Sequence, residues 1–170
     1  SYEHGNCVKL WRDGACERTI KAHMYVTAVA VLPGGARFVS VSSRTTAKRW
    51  PHAAKLWTID GALERNFAAG VEARCVAAMP DGVHFVVGLG TPNTGEVRLY
   101  HVDGTLVHTF TGYAGHVFAV AVTHDGQHII SGSMDRLVRV WSVATKSLVS
   151  TCRGHTYSVH AVAAMPDGQR

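Results

Sequence analysis

The side chains able to do chemistry are eleven histidines, four cysteines and twelve carboxylates, spread over 170 residues. Their spacing decides what they can do. His4-x-x-Cys7 followed by Cys16 comes nearest to a metal set. Zinc sites are built from two close ligand pairs; this stretch offers one, so no metal is expected. Cys7, Cys16, Cys75 and Cys152 contain no CxxC pair and read as ordinary thiols of a reducing compartment. No GxxxxGK[ST] loop, GxSxG elbow or HExxH helix occurs, and Gly88, Gly90 and Gly95 do not fit the dinucleotide fingerprint. His84, His101, His108, His124 and His128 fall on strands or turns at positions suited to outward polar residues. Asp60, Asp81, Asp103, Asp125 and Asp167 stand in turns, where turn chemistry accounts for them. No two carboxylates are arranged for acid–base work. The expectation is a protein without catalytic residues and without a cofactor.

One cluster suits a different chemistry. Arg44, Lys48 and Arg49 stand beside Trp50, with Lys55 nearby, and the net charge is +5. Basic residues next to an aromatic suit phosphate contact and base stacking. A nucleic-acid or ribonucleoprotein partner held by this basic loop is therefore the alternative to a protein partner.

These residues need elements to hold them. Apolar residues make up 46% of the chain and charged residues 17%, enough apolar material for a core. No apolar run reaches the roughly 18 residues of a membrane helix. The chain repeats itself in three series. Val26–Gly35, Ala73–Gly82, Val117–Gly126 and Val159–Gly168 each run from small apolar residues into a glycine turn, and their last glycines are 47, 44 and 42 residues apart. Val8–Trp11, Lys55–Trp57, Val97–Tyr100 and Val138–Trp141 each end on an aromatic, and these aromatics are 46, 43 and 41 apart. The runs Glu17–Ile20, Ala62–Phe67, Thr105–Phe110 and Ser147–Cys152 follow each aromatic after a short turn. With β-branched residues dominant and no 3.6-residue period sustained, each unit reads as four short antiparallel strands.

Units of four strands at 40 to 45 residues suggest propeller blades. Gly154-His155, Pro166-Asp167-Gly168 and Ser131-Gly-Ser-Met-Asp135 leading to Val138-Arg-Val-Trp141 resemble the WD-repeat β-propellers. The resemblance implies an all-β fold. It divides the chain into a half blade at 1–20, full blades at 23–67, 70–110 and 112–152, and a half blade at 154–170. In that family a buried network joins a histidine, a serine or threonine, an aspartate and the blade tryptophan. Ser131, Asp135 and Trp141 fit three of these places. Alignment with Gly154-His155 puts Tyr113, not His116, in the fourth, and His155 in the same place of the following unit. In the first full unit Trp57 is preferred to Trp50 as the blade tryptophan, because Leu56-Trp-Thr-Ile-Asp-Gly copies Leu99-Tyr-His-Val-Asp-Gly.

The resemblance also implies a function: a non-catalytic interaction scaffold that presents one loop-bearing face to other proteins or peptides. On that face one equivalent series is Thr27, Arg74, Phe118 and His160. Another is Tyr25, Glu72, His116 and Ser158, with Met134 just before the network aspartate. Such rings usually close with about seven blades. Three readings stay open: a piece of a longer propeller, self-association with a second chain to complete the ring, or a four-bladed ring joining the two half blades. The cytoplasm is the expected compartment, with the nucleus as its alternative.

Overall fold

The computed structural model describes residues 7–22, 25–43, 52–68 and 70–165. Within these residues all regular structure is β, as the repeat pattern requires. A two-stranded sheet comprises β1 (Cys7–Arg12) and β2 (Ala15–Lys21). Three four-stranded antiparallel meanders follow. The first is β3 (Val26–Val31), β4 (Arg37–Ser42), β5 (His52–Thr58) and β6 (Leu63–Ala68). The second is β7 (Glu72–Ala78), β8 (His84–Gly90), β9 (Gly95–His101) and β10 (Leu106–Tyr113). The third is β11 (Val117–Val122), β12 (His128–Ser133), β13 (Val138–Ser142) and β14 (Leu148–Cys152).

The turns explain why each sheet is a meander. At the first turn of each unit, the amide of Gly35, Gly82 or Gly126 returns to the carbonyl of Leu32, Met79 or Thr123. Gly82 and Gly126 sit at φ of 72° and 71°, which glycine adopts at no steric cost. Asp81 Oδ1 accepts from the amides of Val83 and His84, both at 2.9 Å, and fixes the start of β8. Such local bonds bring the second strand back beside the first.

The sheets stand side by side as an open arc, with the first strand of each against its neighbour, β3 on β7 and β7 on β11. The core lies between sheets rather than inside one. Leu32, Val39, Val41, Leu56, Phe67, Phe85 and Tyr100 fill one seam. Val86, Val97, Leu99, Phe110, Val117, Ile129 and Trp141 fill the next. Ile20, Ala22, Phe38 and Trp57 join the two-stranded sheet to the arc. Segment 153–165 forms no ladder, but Val159 donates its amide to the Ser133 carbonyl at 3.0 Å and so docks on the end of β12.

One irregularity recurs. In β3 the register passes from Val26↔Ser42 to Ala28↔Val41 and skips Thr27. In β7 it passes from Ala73↔Leu89 to Cys75↔Gly88 and skips Arg74. In β11 it passes from Val117↔Ser133 to Ala119↔Gly132 and skips Phe118. A bulge leaves its extra residue unpaired and re-aims the side chain. Three consecutive blades thus carry a bulge at the same place, each holding a residue of the series singled out in the sequence.

Candidate functional site

The bulged residues lie at the end of the arc where loops 90–95, 112–116, 133–137 and 153–158 gather. Met134 donates its amide to the His116 carbonyl at 2.9 Å, and Ser133 Oγ donates to the same oxygen at 3.0 Å. Ser158 Oγ donates to the Met134 carbonyl at 3.5 Å. These bonds fix the loops of successive blades against one another, so the side chains between them are presented rigidly.

At the centre is Phe118, half-buried on its bulge. The His160 ring stacks on it with centroids 4.6 Å apart and planes 17° apart. The His116 ring lies 5.7 Å away at 25°. From the preceding blade the Arg74 guanidinium sits 5.5 Å from the Phe118 ring centre. Arg74 donates through Nε to His116 Nδ1 at 3.2 Å and through Nη2 to Glu72 Oε2 at 2.9 Å. Burial is the main cause that lowers the His116 pKa, and the Arg74 charge adds to it; Glu72 and a hydrogen bond with the Gly90 backbone oppose it. The neutral ring is the one that can accept from Arg74, so geometry and electrostatics agree. Beside the cluster Glu72, Arg74, Gly90, Pro92 and His116 line a cleft of about 430 Å³.

The structure therefore brings Glu72, Arg74, His116, Phe118 and His160 together, with Met134 and Ser158 on the adjoining loops. Thr27 turns the other way in its role: its hydroxyl donates to the Ala73 carbonyl at 3.0 Å and ties two blades. Tyr25 is exposed at the start of the first full blade, at φ 61°. Arg44, Lys48 and Arg49 lie outside the described residues, as do Trp50 and His4.

Beneath this face the third full blade holds its polar network. The Tyr113 hydroxyl is 2.7 Å from Ser131 Oγ, and the Trp141 indole donates to Tyr113 at 2.7 Å and to Ser131 at 3.2 Å. Burial pushes the Tyr113 phenol above its ordinary pKa, so it stays protonated. Asp135 bonds elsewhere. It pairs with Arg139 at 2.8 Å and accepts from the Ala114 and Leu137 amides at 3.1 and 3.2 Å. Burial would raise its pKa, but Arg139 and these amides outweigh that and lower it. Arg139 also donates to the Gly112 carbonyl at 2.8 Å and lies 4.6 Å from the Tyr113 ring centre. His155 is exposed and stands apart from this network.

Arg139 was not among the residues singled out, yet the sequence carries its signal. Lys9, Lys55, Arg98 and Arg139 all stand two residues before the blade aromatic. Lys55 donates to the Ala22 carbonyl at 2.9 Å and lies 5.6 Å from the Trp57 ring centre. Arg98 pairs with Glu96 at 2.6 Å and donates to the Tyr100 hydroxyl at 3.3 Å. In the first full blade the Trp57 indole donates to Ser40 Oγ at 2.9 Å, which places Trp57 on the third strand.

The thiols and histidines elsewhere have local explanations. Cys75 is buried, its thiol pushed up to about 12 by that burial, and it donates to the Val117 carbonyl at 3.6 Å. His84 and His101 are each paired with a turn aspartate, Asp81 at 2.7 Å and Asp103 at 2.9 Å. Among the described residues no three His, Cys, Asp or Glu side chains gather where they could hold a metal ion. Among them, too, no helix is long and apolar enough to cross a membrane.

Residues 14–50 and 104–142 match the sequence model of the WD domain, G-beta repeat. The first match stops at Trp50, whereas β5 carries Trp57; the seven residues between are the difference between an ungapped frame and the observed strand. Over 63 residues the chain is 40% identical to the transcriptional repressor rco-1 of Neurospora crassa, covering 37% of this chain and 10% of that protein. Over 67 residues it is 29% identical to the COMPASS component SWD3 of Saccharomyces cerevisiae, covering 39% of this chain and 21% of that protein. The matched stretches thus span a tenth and about a fifth of these two relatives.

Proposed function

This chain belongs to the WD-repeat family, and we propose that it is a non-catalytic protein–protein interaction scaffold whose partner face is the bulge-bearing end of the arc. The observation that carries this reading is the repeated bulge. Three blades bulge at the same place; Thr27 uses its place to tie its blade to the next, whereas the other two bulges re-aim Arg74 and Phe118 at this end. Arginine, aromatic residues and methionine are the types enriched at interface centres, and Arg74, Phe118 and Met134 supply them. A rigid surface also loses little conformational entropy on binding. One relative is named a component of a complex and the other a transcriptional repressor. Both names support a role among other proteins, and the second supports the nucleus over the cytoplasm.

The test is a triple variant, R74A/F118A/H160A, compared with the parent chain for the proteins it captures in cells and for its melting temperature. The proposal expects the partners to be lost while the melt stays within a few degrees. An unchanged set of partners with intact folding overturns this choice of face.

A further inference from the structure

The two ends of the arc carry different charge. At the turn end stand Asp13, Asp60, Asp81, Asp103 and Asp125, against Arg12, Arg18, Arg37, Arg65 and Lys146. Of these cations, Arg12 is paired with Glu17 at 3.2 Å and Arg37 with Glu64 at 3.9 Å. The bulge-bearing end is the reverse. On its last two blades the carboxylates are Glu72, Glu96 and Asp135, and each is occupied by an arginine, Arg74, Arg98 and Arg139. Among the described residues no carboxylate is set against Arg136 or Arg153, and both are exposed, one on loop 133–137 and the other just beyond β14. Cys152 pairs with Val138, so both loops leave the same end of the strands.

The exposed side chains on these loops include Met134 and Tyr157 together with the polar His155 and Thr156. Tyr157 is 83% exposed and Met134 41% exposed; Tyr157 stands three residues before His160, which stacks on Phe118. The surface is thus a half-buried aromatic centre with two unpaired cations at its rim. That order matches interface anatomy, where the centre holds the anchors and rim charges guide the encounter.

We propose that this face binds an acidic peptide segment, one in which aspartates or glutamates flank an aromatic or branched apolar side chain. The apolar side chain would lie against Met134, Tyr157 and the part of Phe118 that its histidine neighbours leave exposed, and its flanking carboxylates would meet Arg136 and Arg153. Charge complementarity makes the selection: a basic segment would be repelled by the two free guanidiniums. A polynucleotide would satisfy the same charges, but the bonded and stacked rings leave Phe118 covered on its His116 and His160 sides. Among the described residues of the last two full blades and segment 153–165, Tyr157 is the widely open ring at this end, whereas strand-binding grooves offer successive open rings.

This inference rests on the proposed partner face, and its test separates the two. Binding is followed by fluorescence anisotropy with three labelled probes: a twelve-residue peptide of Asp and Glu around a central Leu-Phe pair, the same peptide with Lys for each acid, and a twelve-nucleotide single-stranded oligothymidylate. The acidic peptide is expected to bind at low salt and to weaken as salt screens the rim. R136E/R153E should weaken it at least about tenfold, the effect of about 1.4 kcal/mol, without moving the melting temperature. Binding of the lysine peptide, failure of the acidic peptide, or tighter binding of the oligothymidylate overturns the inference. If R74A/F118A/H160A loses its cellular partners but R136E/R153E keeps them, the face stands and its acidic specificity falls. If neither variant loses them, both fall.

Discussion

The indole N–H of Trp141 donates to the hydroxyl of Tyr113 at 2.7 Å, across 28 residues of chain. A phenol here does what an imidazole would do for the same indole: it accepts from the tryptophan and shares a bond with Ser131. What it cannot do is donate to the aspartate as well, and Asp135 is held by Arg139 instead. Tyr113→Phe should therefore cost little more than one neutral bond, because the indole keeps Ser131 at 3.2 Å. The expected loss is about 1 kcal/mol, read from urea unfolding with an unchanged m-value. A loss near zero would show that the phenol contributes packing alone.

The Arg139–Asp135 pair should matter more. Both side chains are largely buried, at 9% and 8% exposure. Asp135→Asn leaves Arg139 with the Gly112 carbonyl and no counter-charge, which is expected to cost about 3 kcal/mol. The pH dependence follows from the lowered Asp135 pKa. A carboxylate depressed in the folded state contributes stability above its unfolded pKa, about 4. That contribution is lost as pH falls through the folded value. Acid unfolding of the parent should therefore be steeper below about pH 4 than that of Asp135→Asn.

His116 predicts an effect nearer neutrality. Its pKa is lowered, by burial first and by Arg74 second, with Glu72 and Gly90 opposing. Lowering means that the unfolded chain binds the proton more readily. Stability is then full above the unfolded value, about 6.5, and declines as pH falls from there toward the folded value. Protonation would also set an N–H of His116 against the Arg74 Nε–H that it now accepts. His116→Gln should remove this part of the pH dependence between about pH 7 and 5. An NMR titration of the parent in which His116 takes up its proton above the ordinary histidine range would contradict the argument.

The strands and turns were legible in the sequence because their signals are local. Asp81-Gly82 and Asp103-Gly104 announce turns whose bonds involve residues within a few positions. The bulges were not legible. Thr27, Arg74 and Phe118 are chemically unlike, and skipping a residue is decided by the partner strand, not by the residue skipped. Their alignment nevertheless came from the shared period, which is why the series could be named before its geometry. Arg139 was missed for another reason. A set of histidine, serine, aspartate and tryptophan has no place for the cation that replaces one of its bonds, although Lys9, Lys55 and Arg98 repeat that cation's position.

The last prediction concerns how one blade seats the next. Gly88 on β8 and Gly132 on β12 occupy the place that Val41 holds on β4. A Cβ at Gly88 would meet Val117 Cγ1 at 2.9 Å, and the Cys75 sulfur still closer. A Cβ at Gly132 would meet Val159 Cγ1 at 2.7 Å. Where the second strand carries Val41 instead, the next blade answers with the small Ala73, fully buried. The seam thus keeps its volume constant by pairing a glycine with a valine, or a valine with an alanine. Gly132→Ala should then be overpacked and cost about 1–3 kcal/mol, and Gly132→Ala/Val159→Ala should recover part of the loss by returning the volume. A double-mutant cycle on thermal unfolding measures it. Additive losses would mean that the two positions do not share a seam, and that the valine docks on the end of β12 through its backbone bond to Ser133 alone.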